Sequence, residues 1–163
     1  MLFLALVLRL YGIDWDQGAL FHPDERAIFM KVEQLKVPSW RQLPDLLDAD
    51  QSPLNPRWFS YGSLPLYLLK AVQLSCAPFT DWRLADWRLL GRAMSALFST
   101  ASVGLIFLLG LTWLGPQVGL LAALFAAFTV IDIQLSHFFA VDTLLTFFGA
   151  AALFFLIRVA CWG

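Results

Sequence analysis

The chain has 163 residues, 60% hydrophobic and 14% charged, with a formal net charge of −1 and a mean hydropathy of +0.70. A soluble domain carries roughly 45–50% apolar and about 25% charged residues, so these values disfavour a disordered chain and an ordinary soluble enzyme. The near-zero charge leaves no electrostatic footprint for nucleic acid, and two cysteines are too few for a disulfide scaffold. The expected class is an all-α integral membrane protein.

The first segment, 1–12, is apolar apart from Arg9. It is shorter than the roughly 20 apolar residues a bilayer crossing needs. It also lacks the basic leader and small-residue cleavage site of a signal peptide. It is expected to be a truncated first transmembrane helix, or one helped across by snorkelling of Arg9.

Residues 13–87 are expected as a large outer loop. From Gly12 to Trp87 the chain carries ten acids, seven bases and seven of the eight prolines. Ile28, Phe29, Val32 and Leu35 fall at helical spacing, which predicts an amphipathic helix over Arg26–Lys36. Ser63–Leu74 predicts a second, more apolar one. Pro38, Pro44, Pro53 and Pro56 forbid long elements between them. Both helices are expected to lie along the membrane surface.

Three further crossings are expected at 88–114, 116–134 and 138–160, with a tight turn at Gly115-Pro116. Four crossings place the large loop and the Asp132–Asp142 segment on one face. Arg158 on the other face favours that side as cytoplasmic, so the loop face is expected outside a cell or inner membrane, on the periplasmic side of the latter. Ser95, Ser99 and Ser102 share a helix face. Gly115 and Gly119, continued by Ala122, Ala123, Ala126 and Ala127, form a small-residue stripe suited to close helix packing.

Three groups of residues offer chemistry. In Phe21-His22-Pro23-Asp24-Glu25-Arg26, Pro23 suits the first position of a helix. Asp24 and Glu25 then meet the favourable end of its dipole. The same acids are candidates for a general base. Asp142 sits near the start of the last span, where an acid is costly unless it pairs or works. Arg88 and Arg92 are four apart and share a face. They either anchor the helix at the interface or seat a phosphate in their bidentate forks, with Arg26 adding charge. His22 and His137 fall on the same face as these acids and are candidate ligands for a divalent metal ion. No Gly-rich phosphate loop is present. A sugar carried on a polyprenyl phosphate would suit the site, because its phosphate leaves well once neutralised.

The residues also resemble a known family. Arg9-Leu10-Tyr11-Gly12, Phe21-His22-Pro23-Asp24-Glu25, Tyr61-Gly62-Ser63-Leu64-Pro65-Leu66-Tyr67, Arg88-Leu89-Leu90-Gly91-Arg92 and Ser136–Leu144 follow one another across nearly the whole chain. In this order they resemble the N-terminal part of GT-C membrane glycosyltransferases, closest to protein O-mannosyltransferases and lipid A aminoarabinose transferases. The resemblance implies an N-terminal fragment of a larger GT-C fold. It implies transfer of a sugar from a polyprenyl-phosphate donor to a hydroxyl acceptor, with Asp24 as base, Glu25 completing the acidic pair and Asp142 tied to the same site. His137 stands where relatives often carry arginine. Relatives have many more transmembrane helices, so the chain ending at Gly163 is expected to be inactive alone. The alternative is a non-enzymatic four-helix membrane protein or partner subunit.

Overall fold

The computed structural model describes residues 1–42, 44–48 and 50–162. Leu43, Ala49 and the C-terminal Gly163 lie outside the described residues. Helices dominate, and no strand occurs among the described residues. The helices are α1 (Leu2–Leu10), α2 (Pro23–Gln34), α3 (Leu64–Cys76), α4 (Leu84–Leu114), α5 (Pro116–Phe128), α6 (Val130–Leu135) and α7 (Val141–Trp162). The chain divides into two compact units, one of residues 1–18 with 88–163, the other of 19–87.

The second unit is built on two amphipathic helices. Ile28, Phe29, Val32 and Leu35 are buried, as their spacing predicts, and so are Leu66 and Leu69 of α3. α2 packs against α3. Its start is the expected one: Pro23 takes the first turn, Asp24 and Glu25 follow, and His22 caps the helix by accepting from the Glu25 N–H. The helix begins three residues before the expected Arg26, because the cap and proline already commit the backbone there. Between α2 and α3 the proline-rich stretch forms only short 3-10 turns at Trp40–Gln42 and Pro44–Leu47.

The first unit contains the apolar helices. Two of them are long and apolar enough to cross a membrane, Asp86–Leu114 within α4 and Val141–Cys161 within α7. At 1.5 Å per residue the 31 residues of α4 rise about 46 Å, against a hydrocarbon core of roughly 30 Å. The α1 helix has nine residues and α5 thirteen, and each alone falls short of that thickness. The span expected over 116–134 is not one helix. It breaks at Thr129, whose backbone is extended (φ −63°, ψ 111°), and resumes as the six-residue α6.

That break has a visible partner. Arg9, expected to snorkel, is fully buried instead. Its guanidinium donates to Ala127 O at 3.1 Å and Ala126 O at 3.3 Å, two carbonyls in the last turn of α5 of which the second also accepts from the Thr129 N–H, and to Ser99 Oγ at 2.7 Å. A cation at a helix C-terminus satisfies both the open carbonyls and the dipole. Around it Ala5, Val103, Ala123, Ala126 and Ala127 form a core of small side chains.

The α4–α5 hairpin is tight. A β-carbon on Gly119 would stand 2.7 Å from Phe107 O and from Leu111 N, and one on Gly110 only 2.6 Å from the Gly119 Cα. The stripe thus works through Gly119 opposite Gly110. Gly115 serves the turn itself, at φ +95°. Farther along, Phe98 of α4 meets Phe147 of α7 edge-on, with ring centroids 5.2 Å apart.

Candidate functional site

Within residues 19–87, two of the distant sequence motifs meet at Asp24. Tyr61 Oη donates to Asp24 Oδ1 at 2.7 Å across 37 positions of sequence. The tyrosine ring is held by Trp58, edge-on at 5.4 Å. Asp24 is half-buried, Glu25 beside it is fully buried, and Arg26 is exposed. Asp24 thus presents one carboxylate oxygen to Tyr61, while the other has no hydrogen-bond partner among the described residues. The hydrogen bond ties one oxygen of a carboxylate in the first turn of a helix to a residue far along the chain. Tyr61 carried no chemical expectation of its own in the sequence, because the contact spans a loop whose path no local pattern dictates.

The first unit brings the other three motifs together. Arg88 and Arg92 project from one face of α4 onto Asp16, and all three are buried. Arg92 grips Asp16 with a bidentate fork, Nη1–Oδ1 at 3.0 Å and Nη2–Oδ2 at 2.8 Å. Arg88 adds Nη1–Oδ1 at 2.7 Å and also pairs with Asp14. Arg92 donates further to Ile13 O at 2.9 Å and lies over the Trp15 ring at 5.5 Å. Burial alone would raise the Asp16 carboxyl. The Arg92 hydrogen bond and charge, the Gly18 N–H and Arg88 outweigh it and bring the carboxyl down to about 2. The two arginines, expected either to anchor the helix at the interface or to seat a phosphate, have their forks on aspartates of the chain itself. Asp14 and Asp16 carried no expected role in the sequence. Their one local signal is the Asp-x-Asp spacing just after the first apolar segment.

His137 closes the same region. Its Nδ1 lies 2.7 Å from Ile133 O and its Nε2 lies 2.8 Å from Tyr11 O. The Trp15 indole donates to His137 O at 3.4 Å. Both ring nitrogens face carbonyl oxygens, so His137 directs no lone pair outward and does not fit the expected metal-ligand role. The other expected ligand, His22, gives its Nδ1 to the cap of α2. Among the described residues no group of three or more His, Cys, Asp or Glu side chains is placed to hold a metal. Asp142 lies in the first turn of α7, as expected, half-buried and bordering a small cavity of mixed lining.

The architecture therefore defines an all-helical chain with two helices able to cross a membrane and a separate amphipathic unit. No protein-family model, characterised protein or solved structure matches it.

Proposed function

We propose that this chain is the N-terminal module of a membrane glycosyltransferase of the GT-C kind, crossing the membrane four times, with residues 13–87 on the outer or periplasmic face. In this reading α5 and α6 together make one interrupted crossing, and α1 belongs to another. The donor is a sugar on a polyprenyl phosphate held among membrane lipids, and the acceptor is a hydroxyl. Asp24 takes the acceptor proton as general base, and Tyr61 orients it. Glu25 supports the acidic pair, and Asp142 contributes from the second outer segment. Arg26, exposed beside Asp24, is placed to meet the donor phosphate, with Arg88 and Arg92 holding the loop after α1 in register.

The observation that carries this reading is the Tyr61–Asp24 hydrogen bond. It sets one carboxylate oxygen and leaves the other open to a hydroxyl, the geometry a general base needs. The test is sugar transfer by membranes containing the complete transferase of which this chain is the N-terminal module, with labelled polyprenyl-phosphate mannose and aminoarabinose as donors. Loss of a general base costs about 10²–10⁴-fold in rate. Asp24→Asn is expected to lose at least about a hundredfold, with the protein still folded. Unchanged turnover in Asp24→Asn would remove the assignment.

The second reading, a non-enzymatic membrane subunit, draws on the buried cluster of Asp16, Arg88 and Arg92, where charge is used for structure. It expects Asp24→Asn to leave any transfer activity of a partner unchanged.

A further inference from the structure

A small cavity of about 20 Å³ lies within the first unit, between α4, α5, α6 and α7. That volume holds one water-sized occupant. Ser99, Ser102, Asp132, Asp142, Thr143 and Thr146 bring oxygen-bearing side chains to its wall, and apolar side chains complete it.

The donors and acceptors around it do not balance. Thr143 is buried, and its Oγ1 has no hydrogen-bond partner. Ser102 donates its hydroxyl proton to Phe98 O at 3.0 Å, leaving its lone pairs as acceptors. Asp132 and Asp142 receive no side-chain hydrogen bond from any described residue, whereas Ser99 receives one from Arg9. Arg9 lies within electrostatic reach of Asp132, but its fork is turned to Ser99 and to the carbonyls of Ala5, Ala126 and Ala127. The wall thus brings two carboxylates that receive no side-chain hydrogen bond together with the unpartnered Thr143 hydroxyl. Two carboxylates stand against one guanidinium, a local charge of −1. Acids placed among apolar helices are costly unless matched. A single positive charge restores neutrality, where a divalent ion would overshoot it.

We propose that this cavity is a binding site for one monovalent cation of sodium size, ligated by Asp132, Asp142 and the Thr143 hydroxyl, with Ser102 completing the oxygen shell. Hard cations prefer such oxygen ligands. Arg9 sets the valence of the occupant, because it cancels one of the two carboxylates. The ion ties α6 to α7 across the 136–140 turn. The site shares Asp142 with the proposed transfer centre, but its test reads ion binding and not turnover.

The test is equilibrium binding of ²²Na⁺ to the purified full chain in detergent, with choline as the inert replacement at constant ionic strength. Saturable binding of one ion per chain is expected, together with a rise in thermal midpoint in sodium over choline. Thr143→Val and Asp132→Asn are each expected to weaken binding at least tenfold, and Thr143→Ser to retain it. Thr143→Ser guards against misfolding, since it keeps the oxygen and nearly the whole volume. Absence of saturable binding to the wild-type chain, as for a cavity holding only water, would overturn the proposal. So would binding that is unchanged in a folded Thr143→Val and Asp132→Asn. A stoichiometric preference for calcium over sodium would overturn the assigned valence.

Discussion

Two buried arginines and an aspartate account for much of the chemistry at the residue scale. Asp16 is held by Arg92 and Arg88, and its carboxyl titrates at about 2 in the folded chain. The unfolded value is about 3.9. A depressed folded value stabilises the chain fully above the unfolded value, and this is lost as pH falls through about 4 toward 2. A shift of this size is worth about 2–3 kcal/mol. Thermal unfolding in detergent from pH 7 to pH 3 is expected to show a falling midpoint below pH 4, with a shallower fall in Asp16→Asn. At pH 7 that variant leaves two buried guanidinium groups short of their partner, and breaking a buried pair costs about 3–5 kcal/mol. An Asp16→Asn midpoint equal to that of the wild type at pH 7 would contradict a stabilising role for the Asp16–Arg88–Arg92 cluster.

Arg9 makes a second prediction at this scale. Replacing it with methionine keeps the apolar stem and removes the donors to Ala126 O, Ala127 O and Ser99. Ala126 O keeps the Thr129 N–H, but Ala127 O and Ser99 Oγ lose their side-chain donor, and unsatisfied buried acceptors cost about 1–3 kcal/mol each. Arg9→Met is expected to lose several kcal/mol in denaturant unfolding. Arg9→Lys, which keeps the charge without the fork, is expected to recover only part of it.

At the scale of elements, the α4–α5 hairpin depends on the absence of two β-carbons. Gly119→Ala forces a methyl group to within 2.7 Å of backbone atoms of α4, which the hairpin accommodates only by opening. Overpacking of this kind costs about 1–3 kcal/mol. Gly149 of α7 is the control, since nothing lies within 4 Å of a β-carbon there. Gly149→Ala is expected to be neutral or to gain about 0.5–1 kcal/mol through helix propensity. Equal thermal midpoints for the two variants would show that the close approach is not what holds the hairpin. The break between α5 and α6 belongs to the same scale. Its extended Thr129 turns carbonyls of α5 toward Arg9, so one crossing expected from hydropathy becomes two short helices with a cation at their joint.

At the scale of the whole molecule, the proposed four crossings carry a directional consequence. Cys76, on the loop side, and Cys161, near the other end of α7, fall on opposite faces. A membrane-impermeant maleimide added to intact cells is expected to label Cys76, and Cys161 only after permeabilisation. Labelling of both from one side would remove the four-crossing topology while leaving α4 and α7 as helices long enough to span.

Local pattern and tertiary placement divide the protein between them. Periodicity placed the buried face of α2 on Ile28, Phe29, Val32 and Leu35, and proline with acids placed its first turn at Pro23. Continuous apolar length placed α4 and α7. These features depend on neighbours three or four residues away, which sequence displays directly. The partners of the charged residues were not legible. Arg88 and Arg92 advertise a shared face but not what lies against it. Only the folded chain brings Asp16 to them from 76 positions away in the case of Arg92, Tyr61 to Asp24, and Ala126 and Ala127 to Arg9. The physical reason is the reach of each force. Helix formation is decided by local backbone and side-chain geometry. The use to which a buried charge is put is decided by which oppositely charged or unsatisfied group packing carries to it, and that is a property of the tertiary structure alone.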